Sequence, residues 1–182
     1  MTGANNYIEI HEPFPKDSLY ICICGNTKIV IGSTILVKDK CNMKLSIMNW
    51  YGRESSLVIG NNLKCNGMTI FFGPEGSSIQ IGDNCMTSWN IQLSASDHHP
   101  IVDTNGKVIN RCGNISIGNH VWIGMNAVLL KNIIIPDNCI IGAGAVVSGK
   151  FSESNCILAG NPAEIVRRGI NWGRENIISG AY

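Results

Sequence analysis

The sequence lacks both a dominant charge and long apolar segments. Its 182 residues include 14 lysines and arginines against 13 aspartates and glutamates, so the formal net charge is +1. No overall field therefore favours nucleic acid or an anionic membrane as a partner. No run approaches the roughly 20 consecutive apolar residues of a membrane helix, and the start MTGANNYIEIHEP lacks the charged and apolar regions of a signal peptide. We expect a cytoplasmic protein with no membrane span.

Cysteine is present at eight positions, but the cysteines are scattered along a mid-sized chain. This distribution favours reduced thiols over a disulfide framework. Cys22 and Cys24 form a C-x-C pair with no second pair at zinc-finger spacing, so a structural zinc site is not expected. The length predicts a single domain, residues 1–182, that buries its own core.

A repeat of six residues is the main signal in the chain. Aliphatic residues stand at every sixth position, and small or medium apolar residues stand four positions after the first five of them. The two series are Ile117, Ile123, Leu129, Ile135, Ile141 and Val147, and Val121, Ala127, Ile133, Cys139 and Ala145. Neither a helix nor an ordinary alternating strand has this period. A six-residue unit needs a short extended segment and a sharp turn, often with Gly or Asn in the left-handed conformation, so the repeat predicts a β-solenoid.

The same six-residue pattern occurs earlier in VIGSTI, VIGNNL and QIGDNC, which place Ile31, Ile59 and Ile81 in the inward position. The separations between these three isoleucines are not multiples of six. We therefore expect insertions or bulges in the N-terminal coils. The predicted divisions are an N-terminal segment 1–24, a β-helix 25–148 and a C-terminal region 149–182.

The segment ISIGNHVWIGMNAVLLKNIIIPDNCIIGAGAVVS, followed by ILAGNPAEIVRR, resembles the hexapeptide-repeat acyltransferases. Within them it is most similar to sugar and polysaccharide O-acetyltransferases, including the galactoside and capsule enzymes. The resemblance implies an all-β fold, a left-handed parallel β-helix of triangular section, in a homotrimer with sites between subunits. It also implies transfer of an acetyl group from acetyl-CoA to a hydroxyl of a saccharide, such as a surface polysaccharide or its precursor.

Residues 97–114, DHHPIVDTNGKVINRCGN, interrupt the repeat, and we interpret them as a loop that protrudes from the solenoid. Loops on rigid scaffolds often carry catalytic residues. Acetyl transfer to a hydroxyl requires a base, and histidine, with an ordinary pKa of about 6.5, suits this task. The family pattern D-x-H-x-I implies that His99 is the base, with His98 as the alternative. Asp97 orients an imidazole or caps the turn, and Ser94 is expected to line the substrate site.

The motif HVWIG is the second element of the resemblance, and it implies that Trp122 lies beside the reacting thioester. Because the two histidines are adjacent in sequence, both stand at a distance from Trp122 that the family pattern allows. Spacing therefore does not choose between them. The glycine-rich turn IIGAGAVV implies backbone contacts to coenzyme A from Gly142 and Ala143. Met125 stands where the galactoside enzymes often have serine and is expected at the same site.

The segment GNPAEIVRRG is interpreted as a short C-terminal α-helix, with Asn161 as its cap and Gly169 beyond its end. Basic residues in this region of the family bind the phosphates of coenzyme A. The resemblance therefore implies phosphate contacts from Lys150, Arg167 and Arg168.

Three other functions stay open at this point. An N-acetyltransferase acting on a nucleotide-linked amino sugar belongs to the same superfamily. A γ-type carbonic anhydrase would need zinc held by three histidines such as His98, His99 and His120, but a tandem pair cannot easily direct both imidazoles at one ion, and no metal is expected. A catalytically silent solenoid that serves as an assembly platform would need only the repeat.

Overall fold

The computed structural model describes residues 6–11, 19–32 and 45–175. These residues form strands and turns, and none of the described segments is a helix able to cross a membrane. The strands are β1 (Tyr7–Ile10), β2 (Leu19–Ile31), β3 (Leu45–Ile59), β4 (Lys64–Cys65), β5 (Met68–Phe71), β6 (Ser78–Ile81), β7 (Met86–Thr87), β8 (Ile91–Ser94), β9 (Ile115–Ile117), β10 (Trp122–Ile123), β11 (Val128–Leu130), β12 (Ile133–Ile135), β13 (Ile140–Ile141), β14 (Val146–Val147), β15 (Cys156–Gly160) and β16 (Ala163–Arg168).

Each turn of the solenoid is a coil with three straight sides. In the regular C-terminal half, Ile115 pairs with Ile133 and Val128 pairs with Val146, both in parallel. Each of these pairs joins residues that are three repeat units apart in sequence. Three six-residue units therefore make one coil, and the solenoid predicted from the repeat is confirmed.

The stacked sides form three faces. The first face contains the ends of β2 and β3, then β6, β9 and β12; the second contains the start of β3, then β5, β8, β11 and β14; the third contains β4, β7, β10, β13, β15 and β16. Within a coil the chain follows the first, third and second faces in that order. Because β3 continues from the second face to the first, these two faces form one sheet.

The inward positions of the repeat fill the core. The aliphatic series from Ile117 to Val147 is at most 3% exposed, and the small apolar series is at most 1% exposed. Cys85 and Cys139 are fully buried in this core, as their positions in the repeat predict. The turns before these inward residues use asparagine in the left-handed conformation, for example Asn84 with φ 58°, because its short polar side chain tolerates that region.

From Ile59 onward, the irregular spacing of the N-terminal half comes from extra residues at one edge. We call this the loop edge, where the second face meets the first. Residues 72–77 and 95–114 occupy it in successive coils, whereas residues 131–132 are enough to cross it in the next coil. The insertion predicted between Ile59 and Ile81 is therefore present and lies outside the regular faces. Part of the stretch between Ile31 and Ile59 lies outside the described residues.

The segment predicted as a C-terminal α-helix is a β-hairpin, so that prediction is wrong. β15 pairs antiparallel with β16 across the turn at Asn161–Pro162, whose peptide bond is cis. Gly160, at φ 104°, reverses the chain before Asn161, so asparagine and proline become turn residues. β15 extends the third face beside β13 and buries Cys156 and Leu158 at alternate positions. The two-residue period that buries β15 on the solenoid outweighs the helix-start signal.

Candidate active site

The long loop predicted at residues 97–114 folds as a short arm at the loop edge. Val102 and Val108 form an antiparallel bridge, and the Ile109 N–H donates to the Ile101 carbonyl at 2.9 Å. The arm is therefore held by its own hairpin hydrogen bonds, and it presents the residues at its base in a defined arrangement.

Asp97 fastens the base of the arm to the solenoid. Its carboxylate accepts a hydrogen bond from the Asn110 side-chain amide at 2.7 Å and forms an ion pair with Lys131. The hydrogen bond from Lys131, then that from Asn110, hold the pKa of Asp97 below its usual range, and the electrostatic effect of His98 is smaller. The main partners of this carboxylate therefore fasten the loop and are not imidazole rings.

The tandem histidines have different surroundings. His98 takes a left-handed φ of 64°, is half-buried, and packs its ring edge-on against Phe71 with centroids 5.8 Å apart. His99 is exposed. Its N–H donates to the Asp97 carbonyl at 2.8 Å, and its carbonyl accepts from the Asn110 amide at 2.9 Å. The backbone of His99 is thus fixed on both sides while its side chain is open to solvent.

Further contacts tie the two ends of the arm to neighbouring chain. Arg111 forms an ion pair with Glu75 at 2.5 Å, and the Cys112 N–H donates to the same carboxylate at 3.2 Å. Ser94, which was predicted at the substrate site, donates its hydroxyl to the Ser96 carbonyl at 2.7 Å. Its hydroxyl therefore helps shape the start of the loop.

Trp122 lies far round the coil from the loop edge. It begins β10 on the third face, which stands opposite the edge that carries His98 and His99. One chain therefore does not bring its predicted base and Trp122 into one site. The Trp122 ring lies 6.0 Å from that of Trp172, and its buried Nε1 has no hydrogen-bond partner among the described residues.

Trp172 belongs to a C-terminal strap, residues 170–175, that the repeat pattern did not predict. Its ring stacks on His120 with centroids 4.1 Å apart and 10° between planes, and its Nε1 donates to the His120 carbonyl at 2.9 Å. Arg174 donates to the Asn62 carbonyl at 2.7 Å, and burial lowers its pKa. No periodic signal marks this segment, because it runs across the coils and is not part of one.

Predicted donor-site residues meet at the edge between the third and second faces. Met125, 48% exposed, and Ala143, also exposed, lie in successive turns joined by a hydrogen bond from the Gly144 N–H to the Met125 carbonyl. The Gly142 N–H donates to the Leu158 carbonyl. The Ala143 backbone nitrogen lies against Gly124 of the preceding coil, 2.6 Å from the position that a Cβ on that glycine would take. The backbone contact of Ala143 with coenzyme A stays a prediction.

The basic residues predicted to bind phosphate lie elsewhere. Lys150 is bridged to Ile134 on the first face. Arg167 and Arg168 are exposed on β16 at the end of the third face, where Arg168 donates to Glu153 at 3.0 Å. A single chain therefore does not gather these cations in one pocket.

The three histidines considered for zinc are also separated. His120 lies at the edge between the first and third faces, with its Nδ1 3.0 Å from the Asn138 side-chain oxygen, whereas His98 and His99 lie at the loop edge. In the described parts of the chain, no group of three metal-binding side chains is close enough to hold an ion. The geometry within one chain does not support the three-histidine site.

Comparisons with known proteins agree with this architecture. Residues 114–149 match the family described as bacterial transferase hexapeptide (six repeats). A polysialic acid O-acetyltransferase of Neisseria meningitidis is 29% identical over 99% of this chain and 91% of that protein. An uncharacterized 24.8 kDa protein in the cps region of Klebsiella pneumoniae is 32% identical over 87% of this chain and 73% of its own length. A solved polysialic acid O-acetyltransferase has a TM-score of 0.62 at 29% identity, over 96% of this chain and 90% of that chain.

Coverage of the other relatives is shorter. The galactoside O-acetyltransferase of Escherichia coli K12 is 34% identical over 65% of this chain, which spans 57% of that protein. The chain spans 32% of a polysialic acid O-acetyltransferase of Escherichia coli. The stacked hexapeptides and these likenesses define a left-handed parallel β-helix with a histidine-bearing loop. The chain belongs to the hexapeptide-repeat family of bacterial transferases.

Proposed function

We propose that this protein is an acyltransferase that moves an acetyl group from acetyl-CoA to a hydroxyl of a saccharide, such as a surface polysaccharide or its precursor. The observation that carries the proposal is the likeness to the Neisseria meningitidis polysialic acid O-acetyltransferase, which extends over nearly the whole of both chains. A cytoplasmic location is part of the proposal, because acetyl-CoA is formed inside cells.

His99 is the proposed general base. A sugar hydroxyl is too weak an acid to ionise unaided, so a His99 ring nitrogen takes its proton as the oxygen forms a bond to the acetyl carbon. The same nitrogen then returns the proton to the departing thiolate. We assign this role to His99 because its backbone is held on both sides and its side chain is open. His98 occupies the left-handed turn position and packs on Phe71.

Acetyl-CoA supplies the activated acetyl thioester, and the edge between the third and second faces is its proposed binding place. Ala143 and Met125 are both exposed at this edge, and a backbone contact from Ala143 to the thioester end of acetyl-CoA is part of the proposal. Contacts of Lys150, Arg167 and Arg168 with its phosphates stay predictions, as do substrate contacts of Ser94 and Asp97 and the backbone contact of Gly142.

The complete site requires two copies of the chain, because His99 and Trp122 lie on opposite sides of one copy. We propose a homotrimer in which the loop edge of one copy meets the third face of the next. The arm carries four exposed aliphatic side chains, which suit a contact between copies. They are Ile101 at 52%, Val102 at 53%, Val108 at 39% and Ile109 at 60% exposure.

Two histidine variants test the base. His99→Ala should lower kcat by about 100-fold or more, because proton removal is lost, while acetyl-CoA binding measured by calorimetry stays within twofold. His98→Ala is the matched control and should retain most of its kcat. A His98→Ala enzyme that is inactive beside an active His99→Ala enzyme would reverse the assignment.

The acceptor class is tested by offering acetyl-CoA with a panel of free, nucleotide-linked and polymeric saccharides and measuring thiol release and product mass. Transfer to hydroxyls is the expected outcome. Transfer to amino sugars alone would favour the N-acetyltransferase alternative. If no saccharide of the panel caused thiol release, the proposal would be contradicted.

Mixed assemblies test the shared site. His99→Ala and Trp122→Ala proteins should each be inactive, but refolding them together should restore activity. In random mixed trimers about a quarter of the sites would pair an intact His99 with an intact Trp122. If both residues acted within one chain, the mixture would stay inactive.

A further inference from the structure

We propose that Lys131 is a positioning residue for acetyl transfer, which holds the base of the loop through Asp97 and thereby fixes the backbone of His99. This inference rests on the proposed function, in which His99 is the general base. It assigns a role to a residue of the regular coil that follows the loop in sequence.

The side chain of Lys131 is more buried than is usual for a lysine. It lies in the two-residue turn between β11 and β12, and its side chain is 18% exposed. Its ammonium group pairs with Asp97, whose side chain is 39% exposed. Lysine ordinarily keeps its charged end in water, so this placement means that the carboxylate replaces much of the hydration of the ammonium group.

A connected set of hydrogen bonds leads from Lys131 to His99. The Asp97 oxygen that pairs with Lys131 also accepts from the Asn110 amide at 2.7 Å. Asn110 in turn donates to the His99 carbonyl at 2.9 Å and accepts from the Ile101 N–H at 2.6 Å. The His99 N–H donates to the Asp97 carbonyl at 2.8 Å. Both polar backbone groups of His99 therefore bond to residues that Lys131 anchors to the solenoid.

The other ion pair of the loop is a weaker anchor. Arg111 is 74% exposed and its partner Glu75 is 41% exposed, so water and salt screen their attraction. The less exposed pair of Lys131 and Asp97 suffers less screening. Loss of the ammonium group would leave the Asp97 carboxylate with the uncharged Asn110 amide as its main donor. We therefore expect the ion pair of Lys131 with Asp97, more than that of Arg111 with Glu75, to determine the position of His99.

Three lysine variants test the inference. Lys131→Met should lower kcat by about 10- to 100-fold, because small displacements of a catalytic group have effects of this size, and should leave the KM for acetyl-CoA within twofold. Lys131→Arg should restore at least a third of the wild-type kcat, because guanidinium also pairs with carboxylate. Lys107→Met, on the same arm but with no side-chain partner in the described chain, should match the wild type.

An activity-independent measurement separates this inference from the proposed function. Amide hydrogen exchange over residues 97–113 should become about tenfold faster in Lys131→Met and in Asp97→Asn, which keeps the shape of the side chain, but not in Lys107→Met. If no saccharide accepts an acetyl group from the wild type, the proposed function fails while exchange still tests the anchor. Unchanged exchange in Lys131→Met, or a kcat loss in Lys131→Arg as large as in Lys131→Met, would overturn the inference.

Discussion

The C-terminal strap should stabilise the solenoid more than its length suggests. In a solenoid each coil contacts chiefly its neighbours, so local loosening need not spread. The strap bonds to Asn155, His120 and Asn62, which belong to different coils. It therefore joins coils that do not touch one another, and Trp172 supplies its largest side chain.

Replacement of Trp172 by alanine should lower the free energy of unfolding by about 3 kcal/mol. Ring stacking contributes about 1 kcal/mol, the Nε1 hydrogen bond about 1 kcal/mol, and the half-buried indole area about 1 to 2 kcal/mol. For a chain of 182 residues this corresponds to a fall in Tm of about 6 to 12 °C. Trp172→Phe keeps a ring on His120 and loses the hydrogen bond, so it should cost about 1 kcal/mol.

Urea unfolding followed by circular dichroism measures these differences without depending on tryptophan emission. Trp89→Ala is the matched control, because Trp89 is 61% exposed, and it should change stability by less than about 0.5 kcal/mol. The reasoning is refuted if Trp172→Ala costs no more than Trp89→Ala. A loss in Trp172→Phe equal to that in Trp172→Ala would show that stacking contributes nothing.

Further predictions concern packing, pH and thiols. Gly82→Ala would place a Cβ 2.7 Å from the backbone of the next coil and should cost about 1 to 3 kcal/mol in urea unfolding, whereas Gly149→Ala, with nothing within 4 Å, should be nearly neutral. The pKa of Asp97 is lower in the folded protein than in the unfolded chain, so the stability that this carboxylate contributes is present above the unfolded pKa and is lost as pH falls through the folded pKa. The difference in unfolding free energy between wild type and Asp97→Asn should therefore vanish in acid. A difference that stays constant with pH would contradict this. Burial raises the pKa of Cys85 to about 11 and of Cys156 to about 12, so iodoacetamide at pH 8 should label neither until the protein unfolds; rapid labelling of the native protein, located by peptide mass spectrometry, would refute this.

The solenoid could be predicted because each six-residue unit forms one side of a coil. The residues at steps of six from Ile117 to Val147 are all aliphatic and buried, and no helix or flat sheet has that spacing. The C-terminal hairpin could not be predicted in this way, because Asn161–Pro162 is a good helix start as well as a good turn. The open edge of β13 decides between them by pairing with β15, and that edge exists only after the coils have stacked.

The choice between His98 and His99 shows why spacing along the chain was insufficient. Extra residues collect at the loop edge because the faces admit only the regular coil, so both histidines stand opposite Trp122 in their own chain. The number of residues from the histidines to Trp122 measures a path round one coil of one chain. In the proposed trimer, the histidine of one copy meets the Trp122 of another copy. What separates the histidines is local backbone geometry. A left-handed turn and Phe71 engage His98, and hydrogen bonds on both sides hold the backbone of His99 while its side chain is open to solvent.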